Sequence, residues 1–284
     1  MRNANQNKFI VINGKIIDTT DAIVMSIINA TPDSFYANSR VTNDELIIAS
    51  ATNAISNGAT ILDVGGYSTR PGAPLVTEDE EIERVGNALK IIRSHFPEIP
   101  ISIDTFRARV AEIAVKEYGV NMINDVSAFE LDEKMLDMIV ELQVPYILMH
   151  SKGDSQTMQN LTQYDDLIPE ILQFFAWKIG QLRDAGFNRE IIIDPGFGFA
   201  KEITQNYKLL KELKLFECFN TSILVGISRK SMIFKQLGIT PNEALNGTTV
   251  LNSIALERGA NILRVHDTKE AMEAIKLCRA LRDS

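Results

Sequence analysis

Cysteine is nearly absent from this chain: two residues in 284, Cys218 and Cys278, stand far apart and without metal-ligand spacing. That excludes a disulfide framework and a thiolate metal centre, and it fits two packing thiols in a reducing compartment. Positive charge is scarce as well, with 29 Lys and Arg against 37 Asp and Glu and a net charge of −8. Nucleic acid and anionic membranes both demand a basic surface, so neither is an expected partner. No apolar run approaches the about 20 residues that span a bilayer. The polar segment Met1–Asn7, read as a flexible tail, has no apolar stretch behind it to make a signal peptide. The expected location is the cytoplasm.

What is present in quantity is short apolar runs, each closing on a small polar residue. Eight of them end at Asn29, Asp63, Asp104, Asn124, His150, Asp194, Ser228 and His266. A parallel strand buried on both faces reads as continuous Val, Ile and Leu, and tolerates polar side chains where it meets its loop. The spacing predicts strands at 22–29, 60–64, 100–104, 121–124, 145–149, 190–194, 222–227 and 261–265. Helical patterns lie between them, among them 79–95, 107–117, 132–142, 167–185, 203–213, 243–258 and 268–281. Strict β/α alternation means a parallel sheet, and eight units favour a (β/α)8 TIM barrel in one domain over residues 1–284. Asn13-Gly14 within residues 8–18 marks a preceding β-hairpin, expected to plug the barrel bottom.

In such a barrel the rim at the strand C-terminal ends carries the chemistry. Two rim loops, about 30–42 and 65–77, are long for βα connections and rich in Pro and Gly, as lids and binding loops are. Asp104, Asn124 and Asp194 place two carboxylates and an amide on one rim. That set suits a ligand edge rich in N–H donors, guanidine-like or pterin-like, although each carboxylate could instead cap a helix. Because the chain is acidic, an anionic ligand needs local cations, which draws attention to Arg70, Lys201, Arg229, Lys230 and Arg264. Asp194-Pro-Gly-Phe-Gly-Phe199-Ala-Lys201 offers close backbone approach and two flat apolar faces. Met149 could line the pocket or fill the barrel, and His150 has no assignable role. Phe174, Phe175 and Trp177 read as a helix face packed on the barrel.

Five segments together resemble the dihydropteroate synthases: Asn29-Ala-Thr-Pro-Asp33-Ser-Phe35, Asp63-Val-Gly-Gly-Tyr-Ser-Thr69-Arg70-Pro71-Gly, Asp194 through Lys201, Ser228-Arg-Lys230-Ser231 and Arg264-Val-His266-Asp267. The resemblance runs in order from about Ile23 to the end. It implies a transferase that condenses 6-hydroxymethyl-7,8-dihydropterin diphosphate with 4-aminobenzoate, giving 7,8-dihydropteroate and pyrophosphate for folate synthesis. It implies pterin contacts from Asp104, Asn124, Asp194, Lys230, Arg264 and Met149, and diphosphate contacts from Asn29, Arg70, Arg264 and His266. An aminobenzoate site would come from Phe35, Thr69, Arg70, Pro71, Phe199, Lys230 and Ser231, open to sulfonamide mimics. Lys230, Arg70, Asp104 and Asp194 are the candidate catalytic residues, Asn29 the protein ligand of a Mg²⁺ that keeps mostly water and phosphate oxygen, and a homodimer the implied assembly. Two alternatives would share this barrel: a pterin-dependent corrinoid methyltransferase, for which Thr69-Arg70-Pro71 and Lys230-Ser231 have no use, and a non-catalytic pterin-binding homologue. The family usually continues its first motif Phe-Ser-Asp-Gly-Gly, whereas Phe35 is followed by Tyr36-Ala37-Asn38-Ser39. An acidic contribution at Ala37 is therefore missing, with Asp33 a possible substitute. Tyr67 stands where Glu or Gln is common, and Ala200 where Gly is common.

Overall fold

The structure, a computed structural model, describes residues 8–30, 43–67, 75–154 and 156–284. The chain opens with an antiparallel hairpin, β1 (Phe9–Ile12) and β2 (Lys15–Asp18), turned by Asn13 and Gly14, both at positive φ. Strand and helix then alternate: β3 (Ile23–Asn29), α1 (Asn43–Ser56), β4 (Ile61–Gly65), α2 (Glu78–His95), β5 (Ile101–Asp104), α3 (Ala108–Tyr118), β6 (Met122–Asp125) and α4 (Met135–Leu142). The second half continues as β7 (Tyr146–Met149), α5 (Leu167–Asp184), β8 (Ile191–Asp194), α6 (Ile203–Lys211), β9 (Ser222–Val225), α7 (Ser231–Leu237), α8 (Leu245–Glu257), β10 (Ile262–Val265) and α9 (Thr268–Asp283). Strands β3 to β10 are parallel and close in chain order, β10 pairing with β3. The (β/α)8 barrel with its N-terminal hairpin, predicted from the eight runs, is the architecture.

Helix ends follow local chemistry. Thr77 and Glu80 form a reciprocal capping box at the start of α2, whose first turn is acidic and whose last carries Arg93 and His95, matching the helix dipole. Gly119 at φ 61° ends α3 in the left-handed conformation that an L side chain resists.

Period-two alternation sorts the strand side chains. Val24, Leu62, Val64, Ile101, Ile103, Ile123, Leu148, Ile193, Val225 and Leu263 face outward into the large core shared with the helices. Ile23, Met25, Ile61, Met122, Ile147, Ile192, Leu224 and Ile262 face inward and make a second, separate cluster. The hairpin completes that cluster with Ile10, Ile12 and half-buried Ile17, so it does plug the bottom. Buried Asn261 stitches the closure: its amide nitrogen donates to the Thr19 carbonyl at 3.0 Å, and its oxygen accepts from Ile223 N at 3.0 Å and Lys8 Nζ at 3.1 Å.

Two expectations about packing are corrected. Cys218 is an exposed free thiol, whereas Cys278, also free, is half-buried and packs against the core as expected. Of the three aromatics on α5 only Phe175 is fully buried; Phe174 is partly buried, and Trp177 is 59% exposed, its ring lying 5.0 Å from the Lys178 ammonium. The helix presents three aromatics within four residues, more than one face can cover at 100° per residue.

Because Ile10 is fully buried in the inner cluster, Ile10→Ala should cost about 2–5 kcal/mol through lost burial and the cavity left behind. A urea midpoint unchanged from wild type would show that the plug does not stabilise the barrel.

Candidate active site

Two residues along each strand, alternation brings the next inward side chain, and there the lining turns mostly polar, with Ser102 already polar below and Met149 still apolar above. Ile61 is followed by Asp63, Ser102 by Asp104, Met122 by Asn124, Ile147 by Met149, Ile192 by Asp194 and Ile262 by Arg264. The barrel therefore has an apolar floor and a charged mouth. Glycine at Gly226, the inward position of the segment after β9, keeps the wall open beside Lys230 and Arg264, whose atoms lie 3.9 Å from where a Cβ would stand.

Arg264 is the centre of the mouth. Its Nε donates to Asp63 Oδ2 at 2.6 Å and its Nη2 to Asp104 Oδ2 at 2.5 Å. Burial works against the guanidinium, but the carboxylates of Asp63 and Asp104 outweigh it and hold its proton more tightly than usual. Burial pushes Asp104 up to about 7 despite the Arg264 charge, with Asp63 adding repulsion. Asn124 Nδ2 donates to Asp63 Oδ2 at 3.0 Å. Asp194 is also raised by burial, against the pull of Lys230 and a hydrogen bond from Gly196 N at 2.8 Å. Met149, 2% exposed, lies beside Asp194 in register.

The β8–α6 loop is held by two lysines. Lys230 Nζ donates to Phe197 O at 2.5 Å and sits 4.5 Å from the Phe199 ring centroid. Burial brings this ammonium down to about 8. Lys201 turns inward beneath the loop and reaches Gly196 O and Phe199 O, each at 3.0 Å, and His150 Nδ1 at 2.9 Å. These three acceptors match the three protons of an ammonium, although burial lowers its pKa to about 7. Gly196, at φ 74°, lies so close to His150 O that a Cβ would stand 1.9 Å away. His150 thus has a role the sequence did not suggest, as the acceptor that seats Lys201. Burial and the Lys201 charge keep its imidazole well below the ordinary histidine range.

Most sequence candidates among the described residues converge here: Asp104, Asn124, Met149, Asp194, Phe199, Lys230 and Arg264. Asn29 ends β3 half-buried, with no side-chain hydrogen bond among the described residues. Exposed His266 shares a 3.0 Å hydrogen bond, through Nδ1, with Ser228 Oγ, and half-buried Ser231 begins α7. Phe35, Thr69, Arg70 and Pro71, with Asp33 and Ala37, lie outside the described residues.

Arg229, singled out as a rim cation, is spent structurally. It makes a two-point contact with Asp267 at 2.9 and 2.8 Å and donates to the Pro241 and Asn242 carbonyls. Lys201 likewise serves the loop rather than open solvent. Helix capping does not account for the carboxylates, since Asp104 meets Arg264 and Asp194 meets its own loop. Asp125, beside Asn124, faces the other way and accepts from Ser127 N, Ser127 Oγ, Phe129 N and Tyr146 OH.

Sequence reasoning set one buried carboxylate at the wrong depth and missed another. Asp63 was taken as a strand end, but β4 continues to Gly65, which leaves Asp63 two residues deeper and fully buried. The apolar Val64 beyond it was the available signal. Glu81 on α2 accepts from Thr105 Oγ1 at 2.7 Å and Arg107 Nη1 at 2.5 Å, while Arg107 Nη2 donates to Val76 O at 2.7 Å, anchoring the exit of the second long loop.

The family described as "Pterin binding enzyme" matches residues 25–266. The dihydropteroate synthase of Escherichia coli (strain K12) is 41% identical over 270 residues, 94% of each chain. Among solved structures, Yersinia pestis dihydropteroate synthase in a sulfonamide complex superposes with a TM-score of 0.91 at 36% identity, covering 97% of this chain and 100% of that one. Xanthomonas albilineans dihydropteroate synthase with 4-aminobenzoic acid gives 0.91 at 34% identity, covering 98% and 99%.

The lowered Lys201 pKa has a signed consequence for stability. Between pH 10.5 and about 7 the unfolded chain binds a proton that the folded chain resists, so this contribution is complete at high pH and lost as pH falls through that window. Urea unfolding from pH 7 to 9.5 should show wild type gaining stability relative to Lys201→Met as pH rises. A pH-independent difference would contradict the lowered pKa.

Proposed function

Because the chain belongs to the pterin binding enzymes, and among them to the dihydropteroate synthases, we propose how its residues divide that family's reaction. The activity is the transferase step of folate biosynthesis: 6-hydroxymethyl-7,8-dihydropterin diphosphate and 4-aminobenzoate become 7,8-dihydropteroate and pyrophosphate. The observation that carries the division of labour is the convergence of Asp104, Asn124, Asp194, Lys230 and Arg264 on one barrel mouth.

Asp104 and Asp194 accept from the ring and amino N–H groups of the pterin, and Asn124 presents its amide oxygen beside them. Met149 supplies an apolar wall. The Arg264 guanidinium, fixed at two corners, offers its flat face to the ring, a use suited to a planar cation. Lys230 stands over Phe199 at the edge of the pterin site, where Phe199 and Ser231 meet the aminobenzoate; Phe35, Thr69, Arg70 and Pro71 complete that site by resemblance. The arylamine is the nucleophile, so the protein needs no nucleophilic side chain. Its tasks are to hold the amine at attack distance, exclude water and stabilise the departing anion. By resemblance, Arg70, Arg264 and His266 hold that anion.

Mg²⁺ belongs with the diphosphate. Among the described residues no three His, Cys, Asp or Glu side chains gather as a metal cage, and the unengaged Asn29 amide at the rim fits a cation that keeps most of its shell as water and phosphate oxygen. When bound it neutralises charge on the leaving pyrophosphate. The assembly we propose is a homodimer, supported by exposed Leu237, Val250, Ile254, Leu277 and Leu281 on α7, α8 and α9. Among the described residues no helix is long and apolar enough to cross a membrane; together with the free thiols, this favours the cytoplasm.

Supplied with both substrates and Mg²⁺, the protein should release pyrophosphate, with chelation abolishing turnover, Asn29→Ala raising the Mg²⁺ requirement, and sulfonamides competing with 4-aminobenzoate. Purely noncompetitive inhibition would contradict the shared site. Sedimentation equilibrium should return about twice the 31.7 kDa chain mass, and a monomer at all concentrations would rule out the dimer.

A further inference from the structure

Asp63 has no exposed surface, so no ligand reaches it. Its Oδ2 nevertheless accepts from two side chains of the mouth, Asn124 Nδ2 at 3.0 Å and Arg264 Nε at 2.6 Å. Among the described residues its buried Oδ1 has no hydrogen-bond partner, and the buried hydroxyl of Ser102, its register neighbour on β5, is in the same condition. A half-satisfied carboxylate with no solvent contact is a costly element of a core, and stability alone would favour an apolar residue there. The cost is offset by what Oδ2 specifies. A carboxylate only accepts, so Asn124 must turn its NH₂ toward Asp63 and its carbonyl oxygen toward the mouth. The same oxygen fixes the Nε corner of Arg264, while Asp104 takes Nη2. Asp104 alone would leave the guanidinium free to swing about one contact.

We propose that Asp63 is a positioning residue for the pterin. Buried beneath the site, it makes Asn124 present an acceptor and sets the plane of Arg264. This rests on Asn124 and Arg264 being pterin contacts, as proposed above. Asn can replace Asp63 with little change of shape: its oxygen can still accept from Asn124 and Arg264, but its NH₂ takes the place of the unpartnered Oδ1, and an amide that can turn either way no longer dictates which end Asn124 presents. Asp63→Asn therefore keeps the shape but loses the charge and the constraint on Asn124, whereas Asp63→Ala removes the contact altogether.

Calorimetry with 6-hydroxymethyl-7,8-dihydropterin diphosphate, alongside steady-state kinetics, separates the possibilities. Folded Asp63→Ala should bind the dihydropterin about tenfold or more weakly, the scale of one lost charged hydrogen bond, with the KM for 4-aminobenzoate almost unchanged. Asp63→Asn should fall between it and wild type. Combined with Asn124→Ala, Asp63→Ala should cost less than the sum of the two, because one acts through the other. If Asn124→Ala leaves dihydropterin affinity intact, the assignment of the pterin contacts fails. If Asn124→Ala weakens binding and Asp63→Ala does not, or if the two are additive, the positioning role is overturned. Should Asp63→Ala not fold, Asp63→Asn decides: weakened dihydropterin affinity supports the role, and wild-type affinity refutes it.

Discussion

A guanidinium held between one buried and one half-buried carboxylate cannot be displaced without leaving a charge alone in a barrel whose floor is Ile, Leu and Met. The rest of the mouth takes its position from that contact. Arg264 links Asp63 on β4 to Asp104 on β5 across the barrel from β10, and Asn124 on β6 joins through Asp63. On the opposite side, Asp194 faces Lys230 and Lys201. Three carboxylates and three cations thus share the space, and none carries the full desolvation penalty alone.

The same geometry separates stability from chemistry within single strands. One face of every barrel strand packs on helices; the other is mostly apolar at the floor and gathers its polar side chains toward the mouth. Moving the register by one residue would exchange the faces. A site built on strands is also stiffer than one built on loops, and the loop that does contribute, Pro195 to Ala200, is pinned by lysines from two sides. Its carbonyls spend both ammonium groups on shape as well as on charge.

Much of this was legible in the sequence because buried parallel strands leave a simple trace. The β/α order, the Asn13-Gly14 hairpin and the convergence of Asp104, Asn124 and Asp194 all follow from apolar runs and their polar ends. Depth was not legible. A run read as stopping at its first polar residue puts Asp63 on the rim, although β4 continues through Val64 and Gly65. The direction of long side chains was hidden too. Arg229 and Lys201 stand in rim loops exactly as Lys230 does, yet one turns to Asp267 and the other under its own loop. Such choices depend on partners 38 and 51 residues away, which no local pattern records.

Arg264 lies 201 residues beyond Asp63 and 160 beyond Asp104. During synthesis, the two acidic strands therefore leave the ribosome long before the cation that makes their burial tolerable. Until β10 arrives, Asp63 and Asp104 repel each other and favour hydration, so the first strands have an electrostatic reason to stay open. Loop-closure entropy adds a second reason. The contact that shapes the mouth is thus also one that only the final strand can make.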